Sequence, residues 1–245
     1  MAALSALAAV FIGRFIPTQE QRATASLCAE FGALRQGRLW LTLSAAMLIM
    51  GGVLATYSYI TPLLTNRAGI PAGAVPFVLI AFGLGALGGT TTGGRLGERR
   101  PMVTTITAAA ATALVLFLMI PLSTNAVTAI VLVFLMGLTG FAVNPVVTAL
   151  AMRFAGDAPT LTSALTTSAF NVGVAGGSFI AGAALDSSLG LTGPPLVGTL
   201  IAVLTLFPLI ALAVRGTSGK SRIVAQRTAP AHALDDISAQ APSPR

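Results

Sequence analysis

Charged side chains are scarce in this chain of 245 residues, because Asp, Glu, Lys and Arg together make up only 9% of it. An ordinary soluble domain carries about 25%. Apolar residues counted without glycine make up 55%, and 26 further residues are glycine. A soluble fold could not bury so much apolar surface. The composition therefore predicts a protein that lies in a lipid bilayer.

Cysteine and histidine occur once each, as Cys28 and His232. A single cysteine excludes an intrachain disulfide, and a lone histidine in a polar tail leaves no Cys/His cluster for a metal ion. The long apolar runs contain no Asp, Glu, Lys, Arg or His, so they supply no acid, base or metal ligand. We expect no cofactor and no metal site, and the pattern disfavours an enzyme.

The net charge of +7 does not predict a nucleic-acid partner. The basic residues stand between apolar runs rather than along one face, so they are better interpreted as signals of membrane topology. Carriers coupled to protons or ions usually need a titratable group within the membrane. The nearest candidate is Asp186, for which a solvated charge at a helix end is the favoured interpretation.

Five runs without any charge dominate the chain: 39–66, 68–94, 101–152, 158–185 and 187–214. About 20 apolar residues cross a bilayer, so the third run is too long for one helix. Its only polar break with turn character is Ser-Thr-Asn at 123–125. The sequence therefore predicts six membrane spans, at about 39–64, 70–94, 102–122, 126–151, 161–185 and 190–214.

The segments outside these spans have different compositions. Residues 1–16 are apolar but too short to cross a bilayer, and they lack the preceding basic residues of a signal peptide, so we expect a partial transmembrane helix. Residues 17–38 predict a cytoplasmic linker that forms either an amphipathic surface helix or a loop. The polar tail at 215–245 predicts disorder.

Lysine and arginine fix the expected orientation. When the connections between spans are assigned alternately to the two sides, one side receives all of the 14 basic residues except Arg67. Short loops rich in Lys and Arg stay in the cytoplasm. The sequence therefore predicts a multi-pass membrane protein with its linker and C-terminal tail in the cytoplasm.

Glycines recur with the GxxxG spacing within predicted spans, for example Gly85 with Gly89 and Gly173 with Gly177. Such pairs let two helix backbones approach closely in a bilayer, so the pattern favours tight helix packing. The alternative is that the glycine faces let helices slide during a transport cycle.

Polar residues within the spans indicate where a binding cavity could lie, because a polar group in lipid is costly. Asn171 falls near the middle of the fifth span, and Asn144 precedes Pro145 in the fourth. Tyr57 and Thr61 share a face of the first span by helical spacing. Tyr57 is interpreted either as a residue of the cavity or as an anchor at the membrane interface.

Two short segments carry a family resemblance. The sequence GRLGERR at 94–100 is a charged cluster between two apolar runs, which predicts a loop between membrane helices. It is similar to the second-half copy of the G-x-L-x-D-R loop motif of major facilitator superfamily transporters, with Glu98 in place of Asp. The sequence SAFNVG at 168–173 is similar to the eleventh helix of that family. With six spans and a basic linker, the chain resembles the C-terminal half of a bacterial drug exporter of the chloramphenicol-resistance and sugar-efflux-like branch.

The resemblance implies an all-α polytopic membrane protein, namely the six-helix C-terminal half of a major facilitator fold preceded by a partial helix. It implies a proton-coupled exporter of small drugs or sugar-like solutes that works by alternating access and lies in the bacterial plasma (inner) membrane. The partner would be an N-terminal six-helix half or a second copy of the chain, and the coupling residue would lie in that other half. The alternative is a truncated fragment that does not transport.

The resemblance also implies two sets of functional residues. One set would line the substrate cavity: Tyr57, Thr61, Asn144, Phe170 and Asn171. The other would form a charged latch that holds neighbouring helix ends in one conformation and releases them in the other: Gly94, Arg95, Glu98 and Arg99.

Overall fold

The computed structural model describes residues 35–155 and 158–227, and within these ranges the regular structure is entirely helical. The helices are α1 (Gly37–Ser58), α2 (Ile60–Asn66), α3 (Val75–Arg99), α4 (Pro101–Leu122), α5 (Ala126–Phe154), α6 (Pro159–Leu185) and α7 (Gly193–Arg227). Single 3₁₀ turns at Ala72–Ala74 and Gly190–Thr192 precede α3 and α7. Six helices, α1 and α3 to α7, are long and apolar enough to cross a membrane. The predicted all-α polytopic fold is confirmed.

The helix boundaries follow from local turn chemistry. Asn125 caps α5 by accepting a hydrogen bond from the backbone N–H of Val127 at 2.9 Å. Pro101 and Pro159 stand in the first turns of α4 and α6, where a missing N–H costs nothing. Gly69 adopts a φ of 68°, which suits glycine, in the connection that follows α2.

The first span is interrupted, which differs from the continuous helix predicted over 39–64. Helix α1 ends at Ser58, and Tyr59 leaves the helical conformation with φ −115° and ψ 23° before α2 begins. Pro62 explains the break, because a proline ring clashes with the carbonyl group four residues earlier, here that of Ser58.

The helix that forms the last span continues beyond the predicted end of that span, whereas the part that can cross a membrane, Gly190–Arg215, agrees with the prediction. Helix α7 continues to Arg227, which corrects the prediction of a disordered tail for the part from residue 215 to that point. The predicted partial helix at 1–16, most of the linker at 17–38 and the remainder of the tail lie outside the described residues.

Glycines bring α3 and α5 into backbone contact. Every fourth residue of α3 from Gly85 to Gly97 is a buried glycine. A methyl group on the first three would collide with successive backbone carbonyl oxygens of α5, those of Phe134, Leu138 and Ala142. Both sets of residue numbers rise together, so the two helices run parallel. The packing predicted for the GxxxG pair at 85 and 89 is therefore observed.

Helices α1 and α6 form a second parallel pair of the same kind. A methyl group on Gly173 would collide with the carbonyl oxygen of Met47, and one on Gly177 with that of Gly51. The first and fifth spans (α1 and α6) therefore pack as a parallel pair, in the same way as the fourth and second spans (α5 and α3). The strongest helix contacts keep the same pattern when the first three spans are exchanged with the last three.

The core lies between these pairs. Its largest buried cluster contains Leu64, Leu116, Met119 and Met136, all with at most 2% of their surface exposed. A second cluster around Ile49 and Met50 joins α1 to α4, α5 and α7. The core thus fixes α1 at the centre and leaves α3 and α6 more exposed.

Candidate functional site

Helix α6 has an exposed polar face. Ser163, Thr167 and Asn171 follow one another at intervals of four residues, and all three are exposed. In the most apolar part of α6 only 17% of the residues are buried, compared with 67% in α1, and its mean hydropathy is the lowest of the six spans. Lipid is a poor solvent for such a face, so it is suited to contact with protein or a water-filled cavity.

Phe170 and Asn171 are neighbours in the chain but have different surroundings. The Phe170 ring packs against the buried cluster that contains Ile49 and Met50. Asn171 is exposed, and its side chain makes no hydrogen bond to any residue that the structure describes. The amide is therefore available to a solute or to a second protein surface.

Asn144 lies at the interface of α1 and α5. Its Nδ2 lies 3.7 Å from the Met50 sulfur, which is a weak acceptor. Its Oδ1 is buried and has no hydrogen-bond partner among the described residues. Pro145 follows it within α5 and removes one backbone donor from the helix. Asn144 therefore offers an unused acceptor beside the cluster on which Phe170 packs.

Three aromatic rings from three different helices form a row. Tyr57 of α1 stacks on Phe82 of α3 with ring centroids 4.4 Å apart, and Phe82 meets Phe141 of α5 edge to face at 5.8 Å. Sequence reasoning proposed only Tyr57. Phe82 and Phe141 looked like ordinary apolar span residues, and no signal within their own helices distinguished them.

Thr61 is separated from Tyr57 by the helix break, which corrects the expectation that both lie on one continuous helix. Thr61 is exposed on the short helix α2. At the break itself, the Tyr59 hydroxyl donates a hydrogen bond to the Ser178 carbonyl at 3.3 Å, and the Ser58 and Ser178 hydroxyls are 2.8 Å apart. The break is therefore tied to α6.

The charged segment is helical from Gly94 to Arg99, so its prediction as a loop was wrong. Helix α3 runs to Arg99, and Arg100 alone separates it from α4. Arginine and glutamate are good helix formers, and arginines in a last turn favourably oppose the helix dipole. The side chains of Arg95, Glu98 and Arg99 are all exposed at this helix end.

Two grooves meet at this helix end. The larger, of about 1090 Å³, lies between α3, α4 and α5 and contains Arg95, Glu98, Arg99 and Arg100. The smaller, of about 210 Å³, lies between α3 and α5, and Glu98 and Gly94 share it with Arg153. Among the described residues, none of these charged side chains has an ion-pair or hydrogen-bond partner.

The structure thus distributes the candidate residues over three places. Asn144 and Phe170 adjoin the same buried cluster, Tyr57 belongs to the aromatic row, and Asn171 and Thr61 are exposed. The four latch residues, by contrast, lie together at the end of α3, around the two grooves.

Comparison with known proteins identifies a family that this chain matches. The family model described as Major Facilitator Superfamily matches residues 1–178. This match includes α1 to α5 and most of α6, together with both segments on which the resemblance was based.

Three bacterial relatives are similar to the chain. The chloramphenicol resistance protein of Streptomyces lividans is 30% identical over 188 residues, which cover 74% of this chain and 47% of the relative. The uncharacterized MFS-type transporter YtbD of Bacillus subtilis is 29% identical, with 82% and 52% covered. The inner membrane transport protein YdhP of Escherichia coli is 28% identical, with 72% and 46% covered. The chain spans about half the length of these curated relatives.

Proposed function

Because this chain belongs to the major facilitator superfamily, we propose that it forms one six-helix half of an exporter of small amphipathic drugs or sugar-like solutes. Transport would proceed by alternating access, in which two halves rock about a site at their interface. The relative from Streptomyces lividans is named for chloramphenicol resistance, which supports a drug-like substrate class.

The exposed polar face of α6 is the observation that carries this proposal. This helix is both the least buried and the least apolar of the six spans, and Asn171 stands on its uncovered side. A bilayer would not solvate that face, but a second six-helix unit with a cavity between the two would. The partner is an N-terminal six-helix half or a second copy of the chain.

The proposed cavity has the chemistry for a small amphipathic solute. Asn144 and Asn171 supply amide groups, whereas Phe170 and the row from Tyr57 to Phe141 supply aromatic faces. Binding pockets for such ligands are mostly apolar with a few polar groups that fix the orientation. Thr61, at the outer end, would contact the solute at the mouth of the cavity.

Glu98 is the proposed centre of the conformational latch. It shares the smaller groove with Arg153 of α5, and no ion pair joins them in this conformation. Movement of α3 relative to α5 would allow the carboxylate to pair with Arg153, and one charge-assisted bond can shift a two-state equilibrium. Arg95 and Arg99 would hold the carboxylate between them, and Gly94 leaves the groove open beside it.

Proton coupling and orientation complete the proposal. The spans described here carry no titratable group at mid-membrane, so the proton would be carried by the partner half. The basic ends of α3 and α5 would face the cytoplasm of a bacterial inner membrane.

Drug accumulation in susceptible bacteria tests this function. Cells would express the 245 residues alone or together with the first half of a related exporter, with insertion verified in both. We expect lower chloramphenicol accumulation in at least one of the two. A chain active alone would favour self-association, and activity only with the first half would favour a divided carrier. Unchanged accumulation in both, with normal insertion, would favour the non-transporting fragment.

A further inference from the structure

The larger groove at the basic end of the bundle can bind a ligand in addition to holding the proposed latch, to which Arg95, Glu98 and Arg99 also belong. Its mouth holds three guanidinium groups, those of Arg95, Arg99 and Arg100, against the single carboxylate of Glu98. None of these groups is neutralised by an ion pair within the described residues. Three cations close together with one anion attract a further negative group.

The hydroxyl groups in the groove do not alter this preference. Thr92 donates its hydroxyl proton to the Gly88 carbonyl at 2.7 Å, and Thr107 donates to the Val103 carbonyl at 2.8 Å. Thr139 donates in the same way to the Leu135 carbonyl at 2.9 Å, so three of the four threonines use their protons within their own helices. The Thr104 hydroxyl makes no hydrogen bond to a described residue. The arginines are therefore the main hydrogen-bond donors for an anion in this groove.

The depth of the groove corresponds to one leaflet of a bilayer. Helix α4 contributes lining residues from Val103 to Ala111, and this length of helix extends about 12 Å at 1.5 Å per residue. Half the hydrocarbon thickness of a bilayer is about 15 Å. Beyond the arginines the walls become apolar, with Ala108, Ala111 and Leu138.

The rim of the groove is apolar, which indicates that it opens toward lipid. Leu96 and Val103 line the groove and remain more than half exposed. Helical periodicity places Leu84 on the side of Arg95 and Leu114 on the side of Val103, and both are equally exposed. Large exposed aliphatic side chains are suited to acyl chains, unlike the polar face of α6.

We propose that this groove binds one anionic phospholipid. The lipid phosphate lies among Arg95, Arg99 and Arg100, and one acyl chain follows α4 past Ala108 and Ala111 toward the middle of the membrane. The basic mouth recognises the headgroup charge, and the apolar depth distinguishes a lipid from a free phosphate ion. The site lies outside the proposed solute cavity, and its test does not require transport.

Native mass spectrometry of the purified chain in neutral detergent tests the site, with phosphatidylglycerol and phosphatidylcholine of identical chains as the probes. We expect tighter retention of phosphatidylglycerol. The double variant Arg95→Gln/Arg100→Gln should bind it roughly 30-fold more weakly, since each arginine near a headgroup contributes about fivefold. Arg153→Gln removes a charge from the same end of the bundle but does not line the groove, and should bind as the wild type does.

The apolar part is tested by a pair of neighbouring substitutions. Ala111→Phe places a ring inside the groove and should abolish lipid retention, whereas Ala110→Phe lies on the exposed surface beside it and should leave retention unchanged. Circular dichroism verifies that both variants are folded. Inorganic phosphate in excess should not displace the lipid.

Three results would overturn the proposal. Equal retention of both lipids, unaffected by loss of the two arginines, would mean unspecific annular lipid. Unchanged retention in Ala111→Phe would place the lipid elsewhere. Displacement by inorganic phosphate would reduce the site to a phosphate site without a role for the acyl chain.

Discussion

Asn144 and Asn171 carry the same side chain in two different environments. Asn144 faces α1 with one buried oxygen unpaired, whereas Asn171 is exposed on α6. Both were predicted as cavity residues because a polar group in a span needs a partner. The sequence could not show which helix covers each one, since that depends on packing between residues far apart in the chain.

Asn171→Leu tests the proposed contact with solute. The substitution breaks no hydrogen bond of the described structure, so insertion should be normal. Loss of one hydrogen bond to the solute, worth about 1 kcal/mol, should raise KM about fivefold in vesicles containing the assembled carrier. Val172→Leu, at the exposed neighbouring position, is the control. An unchanged KM together with poor expression would assign Asn171 to packing.

Glu98→Gln tests the latch. The amide keeps the shape of the side chain but cannot form an ion pair with Arg153 in the smaller groove. We expect transport by the assembled carrier to fall about tenfold with unchanged insertion, in the range of typical coupling energies. Asp186→Asn, which neutralises an exposed carboxylate at the end of α6, should have little effect. Wild-type rates in Glu98→Gln would eliminate the latch.

Arg67→Gln tests a structural role at the opposite end of the bundle. Arg67 is half-buried, and its Nη2 donates a hydrogen bond to the Ile120 carbonyl at 2.6 Å, at the C-terminal end of α4. Loss of this charge-assisted bond should lower the free energy of unfolding by about 1.5–3 kcal/mol. Unfolding in mixed micelles, with exposed Arg35→Gln as the control, measures the effect. Equal stability of the two variants would contradict this role.

At the level of the helices, the sequence predicted the existence of the spans better than their ends. Composition and length sufficed for six spans, because each must cover the same apolar thickness. The helical state of 94–100 and the break at Tyr59 were missed, although Pro62 contained a signal for the break. Charge was taken as evidence for a loop, but charged residues also extend a helix beyond the membrane.

Two adjacent glycines of α6 provide a sharp test of helix packing. A methyl group on Gly177 would collide with the Gly51 carbonyl oxygen, whereas one on Gly176 would meet nothing within 4 Å. Gly177→Ala should therefore destabilise the chain by about 1–3 kcal/mol. Gly176→Ala should be neutral or slightly stabilising, because alanine favours helix. Equilibrium unfolding in mixed micelles compares them, and equal effects would contradict the close approach of α1 and α6.

For the whole molecule, the distribution of charge predicted on which side of the membrane each connection between spans lies. It did not predict which spans pack against each other. The parallel pairs of α3 with α5 and α1 with α6 depend on which glycine faces meet, and several faces in the sequence were suitable. The aromatic row from Tyr57 to Phe141 joins three helices, and the sequence could not predict it for the same reason. A sequence pattern shows that one helix needs a packing partner, but it does not show which other helix provides the contact.

Labelling of single cysteines tests the proposed orientation. Cys28 is the only cysteine, so Cys28→Ser provides the background. Thr124→Cys and Ser188→Cys lie in exposed connections opposite the basic end and should react with a membrane-impermeant maleimide in intact cells. Gln36→Cys, exposed at the basic end, should react only after permeabilisation. The reverse pattern would overturn the orientation.

The strongest helix contacts keep the same pattern when the first three spans are exchanged with the last three, so the two halves of the bundle share one packing plan. This plan determines which helices meet, but it does not determine which end of the bundle faces the cytoplasm. The direction of insertion is decided by the charged residues at one end of the bundle, which are Arg95, Arg99, Arg100 and Arg153 together with Glu98. Under an inside-negative membrane potential of 100 mV, carrying their net charge outward would cost roughly 7 kcal/mol. The electric field thus favours the insertion that keeps these charges in the cytoplasm.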